Sequence, residues 1–506
     1  MPASLTATAP GDRAEAPAFQ GRSAARAVRW STLSVLGRQG FQMVFAIVVA
    51  RMLGPDLYGA ISAATIYVTL SALLLDQGVS AALVQRRELP EGAPGAAATV
   101  NLALALLLGA LTWLAAPLIG GFFGSEPLPG MLQWLAVGLL LKAGAIAPRA
   151  MSLRRLALRD VAIADIAGTG AGAVAGVLAA ALGAGPAAMV VMTLLSDGIT
   201  TALLLAANHG PVPNLRLRAF RPLVPFGARV FATNGVAYLS RNTDNVLVGR
   251  FLGVTALSYY SMGYRVLVIP VQLIGQSVNR VMFPVFSRSA DRREVLAEQL
   301  TKATELLAAV VLPVMTLLAC ASPQVIGVLL CERWLPAAPL MSVLAIAGAR
   351  ETLFYLTPAL MRATGQAGLN LRFELLSTAV QVTGIVVGLL FGLLGVAVGY
   401  AAAGFALTPI LLLLQRRITG VAIRTQLGAL LPPLHASLWA AAAYLLLSGA
   451  LPGLPAAATL VVGGIVYAAV IAAVLLVVHR AWLRRVLPRV GAILGRRTAP
   501  ARTALA

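Results

Sequence analysis

The chain has 506 residues, of which 59% are hydrophobic and 11% charged, with a mean hydropathy of +0.85. Apolar runs of about 20 residues recur to its end, which excludes a soluble fold and makes it an integral membrane protein. A net charge of +21 would suggest nucleic acid in a soluble chain; here the positive-inside rule absorbs nearly all of it, and no nucleic-acid partner is expected.

Residues 1–26 are polar, rich in Ala and Arg, and lack the apolar core and cleavage site of a signal peptide, so they read as a retained cytoplasmic tail. Fourteen helical spans are expected after it, at 27–50, 59–84, 96–116, 131–147, 161–182, 186–207, 223–249, 256–286, 303–322, 340–361, 373–391, 393–414, 431–449 and 457–478. They group into an N-lobe (27–207, spans 1–6), a C-lobe (223–414, spans 7–12), a further pair (431–478) and a basic cytoplasmic tail (479–506). The fold class is therefore all-α integral membrane, with two pseudo-symmetric six-helix lobes and a C-terminal helix pair. With the amino terminus inside, the segments on that side hold 29 of the 39 Lys and Arg, whereas loops on the other side hold only Arg51, Arg250 and Arg333. That bias places both termini in the cytoplasm.

The stretch Arg51-Met52-Leu53-Gly54 at the end of span 1 returns as Arg250-Phe251-Leu252-Gly253 at the end of span 7. Six spans separate the copies, so the duplicated units share one topology and are related by an axis along the membrane normal.

Seven cations fall within spans: Arg38, Lys142, Arg229, Arg241, Arg265, Arg280 and Arg350. Lys142, Arg229 and Arg280 can snorkel to a boundary. Arg38, Arg241 and Arg265 sit on polar stripes. Span 1 aligns Ser31, Ser34, Arg38 and Gln42 at helical spacing, and span 2 aligns Ser62, Thr65, Thr69, Asp76 and Ser80. Span 7 aligns Asn234, Tyr238, Arg241 and Asn245; span 8 aligns Ser261, Arg265, Gln272, Gln276 and Asn279. Charged side chains facing lipid are costly, so four such stripes suggest one shared polar cavity. Asp244 lies three residues from Arg241 and is equally suited to pair with it and hold span 7 in place. Asp76 has no cation one turn away and must find a partner on another helix, stay protonated or meet water. Asp76, Asp165, Asp197 and Asp244 are candidates for ion coupling, and helix packing suits Asp165 and Asp197 at least as well.

Prolines 270, 284, 313, 358 and 409 lie inside spans and favour kinks. Cys320 and Cys331 read as two free thiols. The segment Ala481–Arg497 mixes Trp and aliphatic residues with five Arg, an interfacial element drawn to anionic lipid, and Pro488 argues against one unbroken helix there. No P-loop or metal-ligand spacing occurs, and the three histidines, His209, His435 and His479, lie far apart near span ends. The external loops are short: 117–130 offers only Glu126 and 323–339 only Glu332 and Arg333. No enzyme activity and no cofactor are expected.

Four motifs carry a resemblance: ARMLGPDLYG (50–59), LLLDQGVSAALVQRRE (73–88), LSRNTDNVLVGRFLG (239–253), and YYSMGYR with FPVFSR (259–265 and 283–288). In that order they resemble the polysaccharide transporter (Wzx-type) flippase family of the multidrug/oligosaccharidyl-lipid/polysaccharide exporter superfamily. The resemblance implies a V-shaped pair of lobes that moves undecaprenyl-diphosphate-linked oligosaccharide across the bacterial cytoplasmic membrane by alternating access. Its partners would be the lipid-linked sugar, membrane lipids and a polysaccharide polymerase or assembly proteins. Related flippases of lipid-linked peptidoglycan precursors hold the diphosphate with arginines on helices 1 and 8, which implies Arg38 and Arg265 here. The expected cavity residues are Arg38, Gln42, Arg241, Asn245, Arg265, Gln272 and Gln276. Two other readings stay open: a cation-coupled exporter of the same superfamily, and a non-transporting partner of a polysaccharide assembly complex.

Overall fold

A computed structural model describes residues 21–495 apart from 77, 87, 209 and 210. Within that range the side chains of 21–28, 31, 208, 237, 239–241, 266–277, 279, 280, 367, 487 and 489–495 lie outside the description. Arg241, Gln272 and Gln276 are therefore placed on their helices by backbone alone, as are Asn279 and Arg280.

The described chain is helical throughout, with no strand among the described residues. The first unit comprises α1 (Gly21–Asp76), α2 (Val79–Gln85), α3 (Ala93–Phe123), α4 (Leu128–Arg154), α5 (Leu158–Ala181) and α6 (Ala188–Asn208). A short α7 (Leu217–Phe220) leads into α8 (Val224–Phe251), α9 (Val254–Arg288), α10 (Arg293–Cys320), α11 (Ser322–Leu329), α12 (Ala338–Leu353), α13 (Leu356–Ala363), α14 (Ala367–Leu389) and α15 (Gly392–Thr419). The chain then runs through α16 (Ile423–Ala450), α17 (Ala456–Val477) and α18 (Arg480–Gly495). Leu106, Leu107, Leu111, Leu114 and Leu118 form an exposed apolar face along α3, as expected of a helix solvated by lipid rather than water.

The repeated Arg-x-Leu-Gly motif has a backbone reason. Gly54 interrupts α1 at φ 76°, ψ 174°, and Gly253 joins α8 to α9 at φ 88°, ψ 167°. Only glycine occupies that region without strain, so each unit turns from its first long helix into its second on the same residue type in the same conformation. The last two helices of each unit also share a device. In α5 a Cβ on Gly168 or Gly172 would meet backbone of α6 at 2.7 Å or closer, and in α14 one on Gly384 or Gly388 would meet the carbonyls of Gly399 or Gly395 at 2.5 and 2.3 Å. Small residues here let backbones approach, which is how helices associate without a hydrophobic driving force.

Several boundaries differ from expectation. Spans 1 and 2 form one helix broken only at Gly54, and span 2 stops at Asp76, where Gly78 (φ 71°) separates it from α2. Span 3 extends to Phe123, so the loop expected at 117–130 shrinks to four residues. Span 10 divides at residues 354–355 into α12 and α13, and α10 begins at Arg293, inside an expected loop. Pro313 and Pro409 lie within helices that run unbroken. Pro488 likewise sits inside α18. The carbonyl freed by Pro488 belongs to Arg484, which is exposed and can be solvated, so the helix continues. Among the described residues eleven helices are long and apolar enough to cross a membrane. The expected fourteen would require the 45-residue apolar part of α1 to cross twice and the more polar α8 and α9 to cross as well.

Candidate functional site between the two units

The two units meet along a seam built from matching residues. Thr255 Oγ1 donates to Asp56 Oδ1 at 3.0 Å, and the Ser62 and Ser261 hydroxyls are 2.8 Å apart. Both pairs join positions 199 residues apart, the offset of the Arg-x-Leu-Gly echo. Equivalent residues of two copies can touch each other only at a twofold axis, so these contacts locate it. Gly59 permits the approach, since a Cβ there would lie 2.3 Å from the Val254 carbonyl oxygen. Trp334, from the 3-10 turn Glu332–Ala337, seals this end. Its Nε1 donates to Ala50 O at 3.0 Å, and its ring stands edge-on to Tyr58 and Tyr259 at 5.6 and 5.8 Å.

One flank is closed as well: Tyr238 Oη of α8 donates to Ile66 O of α1 at 2.7 Å, and lower down Gly78 packs against Gly227, where a Cβ would be 2.4 Å from its carbonyl oxygen. Shifting the Tyr238–Ile66 contact by 199 residues gives its counterpart on the other flank, Gln39 of α1 facing Arg265 of α9. That counterpart is not formed. Arg38, Gln39 and Gln42 are exposed, and neither Arg38 nor the half-buried Arg265 makes a hydrogen bond or ion pair among the described residues. The pseudosymmetry thus sets Arg265 level with Gln39, next to Arg38, on the flank where α1 lies open.

The four carboxylates singled out in the sequence occupy different settings. Asp76 accepts from the Ser80 backbone N–H at 3.2 Å and its hydroxyl at 2.5 Å, so it caps α2. Asp165 is held by Arg149 through both guanidinium nitrogens, at 3.2 and 2.5 Å, and by the Ser34 hydroxyl at 2.9 Å, tying α1, α4 and α5 together. Asp197 lies 3.8 Å from Lys142, which is therefore paired rather than only snorkelling. Asp244, buried, accepts from Tyr260 Oη at 2.9 Å and from the Asn245 backbone and side-chain nitrogens at 2.8 and 3.1 Å.

The sequence reading counted cations within spans and passed over Glu351, which stands beside Arg350 in α12. Tyr400 Oη of α15 donates to Glu351 Oε2 at 3.2 Å, and Tyr400 is within electrostatic reach of Tyr264 and Asp244. Tyr260 and Tyr264 stack with an interplanar angle of 7°. Arg350 Nε donates to Thr408 Oγ1 at 3.1 Å and the guanidinium lies over the Phe354 ring, while its buried Nη2 has no partner among the described residues. The result is a polar cluster inside the second unit, drawn from α8, α9, α12 and α15. A glutamate beside an arginine in an apolar run was the available signal.

Two histidines also come together against expectation. His435 Nδ1 and His479 Nε2 are 3.1 Å apart across α16 and the start of α18, with Trp439 Nε1 donating to His435 Nε2 at 3.0 Å. Burial, then the neighbouring His435, pushes the His479 imidazole below its ordinary range. His209 lies outside the described residues.

Residues 48–339 match the family described as "Polysaccharide biosynthesis protein". The chain belongs to that family. It is 29% identical over 301 residues to the teichuronic acid biosynthesis protein TuaB of Bacillus subtilis, covering 59% of this chain and 62% of TuaB. It is 22% identical over 378 residues to the lipopolysaccharide biosynthesis protein WzxC of Escherichia coli, covering 74% and 76%. Among solved structures, the fold is similar to the lipid II flippase MurJ in an inward closed conformation, with TM-score 0.68 and 14% identity over 88% of this chain and 98% of that one. An inward-facing multidrug transporter of the MATE family, from the multidrug/oligosaccharidyl-lipid/polysaccharide superfamily, gives TM-score 0.60 and 17% identity over 78% and 98%. The chain is thus a multi-pass membrane protein with the fold of these transporters.

Proposed function

We propose that the protein is a flippase that carries undecaprenyl-diphosphate-linked oligosaccharide from the inner to the outer leaflet of the bacterial cytoplasmic membrane by alternating access. The observation that carries this reading is the open flank, where Arg38 and Arg265, set at one level by the pseudosymmetry, have no partner among the described residues. A diphosphate is a dianion that two guanidinium groups bind by forked, charge-assisted hydrogen bonds. The seam around Ser62 and Ser261 would be the outward gate, and the open flank would admit the lipid from the inner leaflet, with both termini cytoplasmic. With the interior negative, each negative charge moved outward gains about 2.3 kcal/mol per 100 mV. The potential alone thus favours export. The names of the relatives, which assign TuaB to teichuronic acid and WzxC to lipopolysaccharide biosynthesis, support a polymer precursor as substrate. A polymerase or assembly partner would receive it outside. Of the carboxylates, Asp244 is the one we assign to ion coupling, because Asp165 and Asp197 already face cations of this chain.

The test is turnover of a labelled lipid-linked oligosaccharide in reconstituted vesicles. Arg38→Gln and Arg265→Gln should each lower turnover at least about tenfold, the loss of one charge-assisted contact. Arg229→Gln, an exposed arginine in the second turn of α8, should leave it intact. Equal turnover in all three variants would refute the assignment.

A further inference from the structure

At the far end of the second unit from the Trp334 seam, two cavities of ≈ 880 and ≈ 360 Å³ run into each other, sharing Ala297 and Val421 as walls. They lie among the first turns of α10, the turn between α15 and α16, and α18. Nothing in the transport cycle proposed above uses them. The larger is lined by Arg293, Arg416 and Arg417, the smaller by Lys302 and Arg485.

These cations differ in how free they are. Arg293 is committed: its Nε donates to Ile418 O at 3.1 Å and its Nη2 to Arg417 O, which satisfies carbonyls at the end of α15. Lys302 pairs with Glu298 on its own helix. Arg416, Arg417 and Arg485 are exposed, and their side chains make no hydrogen bond or ion pair among the described residues. One turn before Arg485, Trp482 is buried at 4% exposure, which seats α18 on the body of the protein. The three carboxylates of the lining, Glu294, Glu298 and Glu305, all lie on α10, so the charged residues of the opposite wall are all cations.

We propose that this cleft binds the phosphate headgroup of an anionic phospholipid, with Arg416, Arg417 and Arg485 on the phosphate and α18 as one wall. Only Val478 and His479 separate α18 from the 22-residue apolar helix α17, so α18 begins at the membrane boundary. It buries Trp482 and Val486 against the protein and exposes Arg484 and Arg485, which at that depth would face the headgroups. A soluble anion would share the same chemistry, but a headgroup is already concentrated at that depth. The bound lipid would fasten α18 across α10 and the α15–α16 turn.

The experiment measures phosphatidylglycerol retained by the purified full chain, by native mass spectrometry during titration with that lipid. Arg416→Gln with Arg417→Gln should weaken retention about 30-fold, from the roughly fivefold that each basic side chain contributes near an anionic surface. Arg485→Gln, on the α18 wall, should weaken it as well. Arg155→Gln with Arg159→Gln, an equal loss of charge at exposed positions just after α4 and in the first turn of α5, should leave it unchanged. The site is overturned if that control pair loses as much lipid as the Arg416/Arg417 pair, which would show bulk attraction only. Displacement by excess inorganic phosphate would overturn the lipid as the occupant. Retention is read without turnover, so it fails or succeeds independently of the flippase assignment.

Discussion

Gly253 isolates the cost of a backbone conformation. A Cβ there would meet no atom within 4 Å, so replacing it adds no clash and only forces an L-residue to φ 88°, ψ 167°. Gly253→Ala should destabilise the protein by about 1–3 kcal/mol, seen as a lower melting temperature in detergent. Gly428→Ala in α16 also meets open space but lies in ordinary helix, so it should be neutral or stabilising by up to about 1 kcal/mol. Gly59→Ala belongs to a third kind, because its methyl would strike the Val254 backbone at 2.3 Å and push the two units apart. If Gly253→Ala and Gly428→Ala melted alike, the shared glycine hinge would lose its physical basis. The sequence displayed the repeated motif, yet only the torsions explain why its last residue is glycine.

At the scale of helices, the seam makes a prediction about opening. The Ser62 and Ser261 hydroxyls are close enough that cysteines in their place should join under mild oxidation, once Cys320 and Cys331 are replaced. The cross-linked Ser62→Cys/Ser261→Cys protein should lose turnover and regain it on reduction; full turnover while cross-linked would show that this seam does not open. The long apolar runs were legible because hydropathy sums over many residues. The breaks were not. The separation of span 2 from α2 depends on Asp76 capping Ser80 and on Gly78 meeting Gly227, a residue 149 positions away in sequence. The division of span 10 and the continuation of α18 through Pro488 likewise depend on which carbonyls find partners or solvent, and local sequence does not carry that. The polar stripes were half legible. Spacing found Arg38 and Arg265, whereas their common level required the contact between Tyr238 and Ile66 on the opposite flank.

Across the whole molecule, the two units have diverged in how they hold buried charge. In the first, Asp165 is locked by Arg149 and Ser34; in the second, Asp244 is held by Tyr260 and Asn245, with no cation bonded to it among the described residues. A carboxylate already facing a guanidinium has little to gain from a second cation, whereas one held by neutral hydroxyls and amides retains its charge to offer. Substitution should separate the two roles. Asp165→Asn leaves Arg149 without its counter-charge and should cost about 3–5 kcal/mol of stability, lowering the melting temperature whatever ion gradient is applied. Asp244→Asn preserves the volume and the acceptor for Tyr260, so it should melt close to the parent. Its effect should appear in transport: turnover in vesicles should continue with the substrate gradient or potential but stop responding to an imposed proton or sodium gradient. If Asp244→Asn kept the parent's gradient response and lost stability as Asp165→Asn does, the cluster in the second unit would be a packing device like its counterpart, and the membrane potential acting on the diphosphate would be left as the driving force.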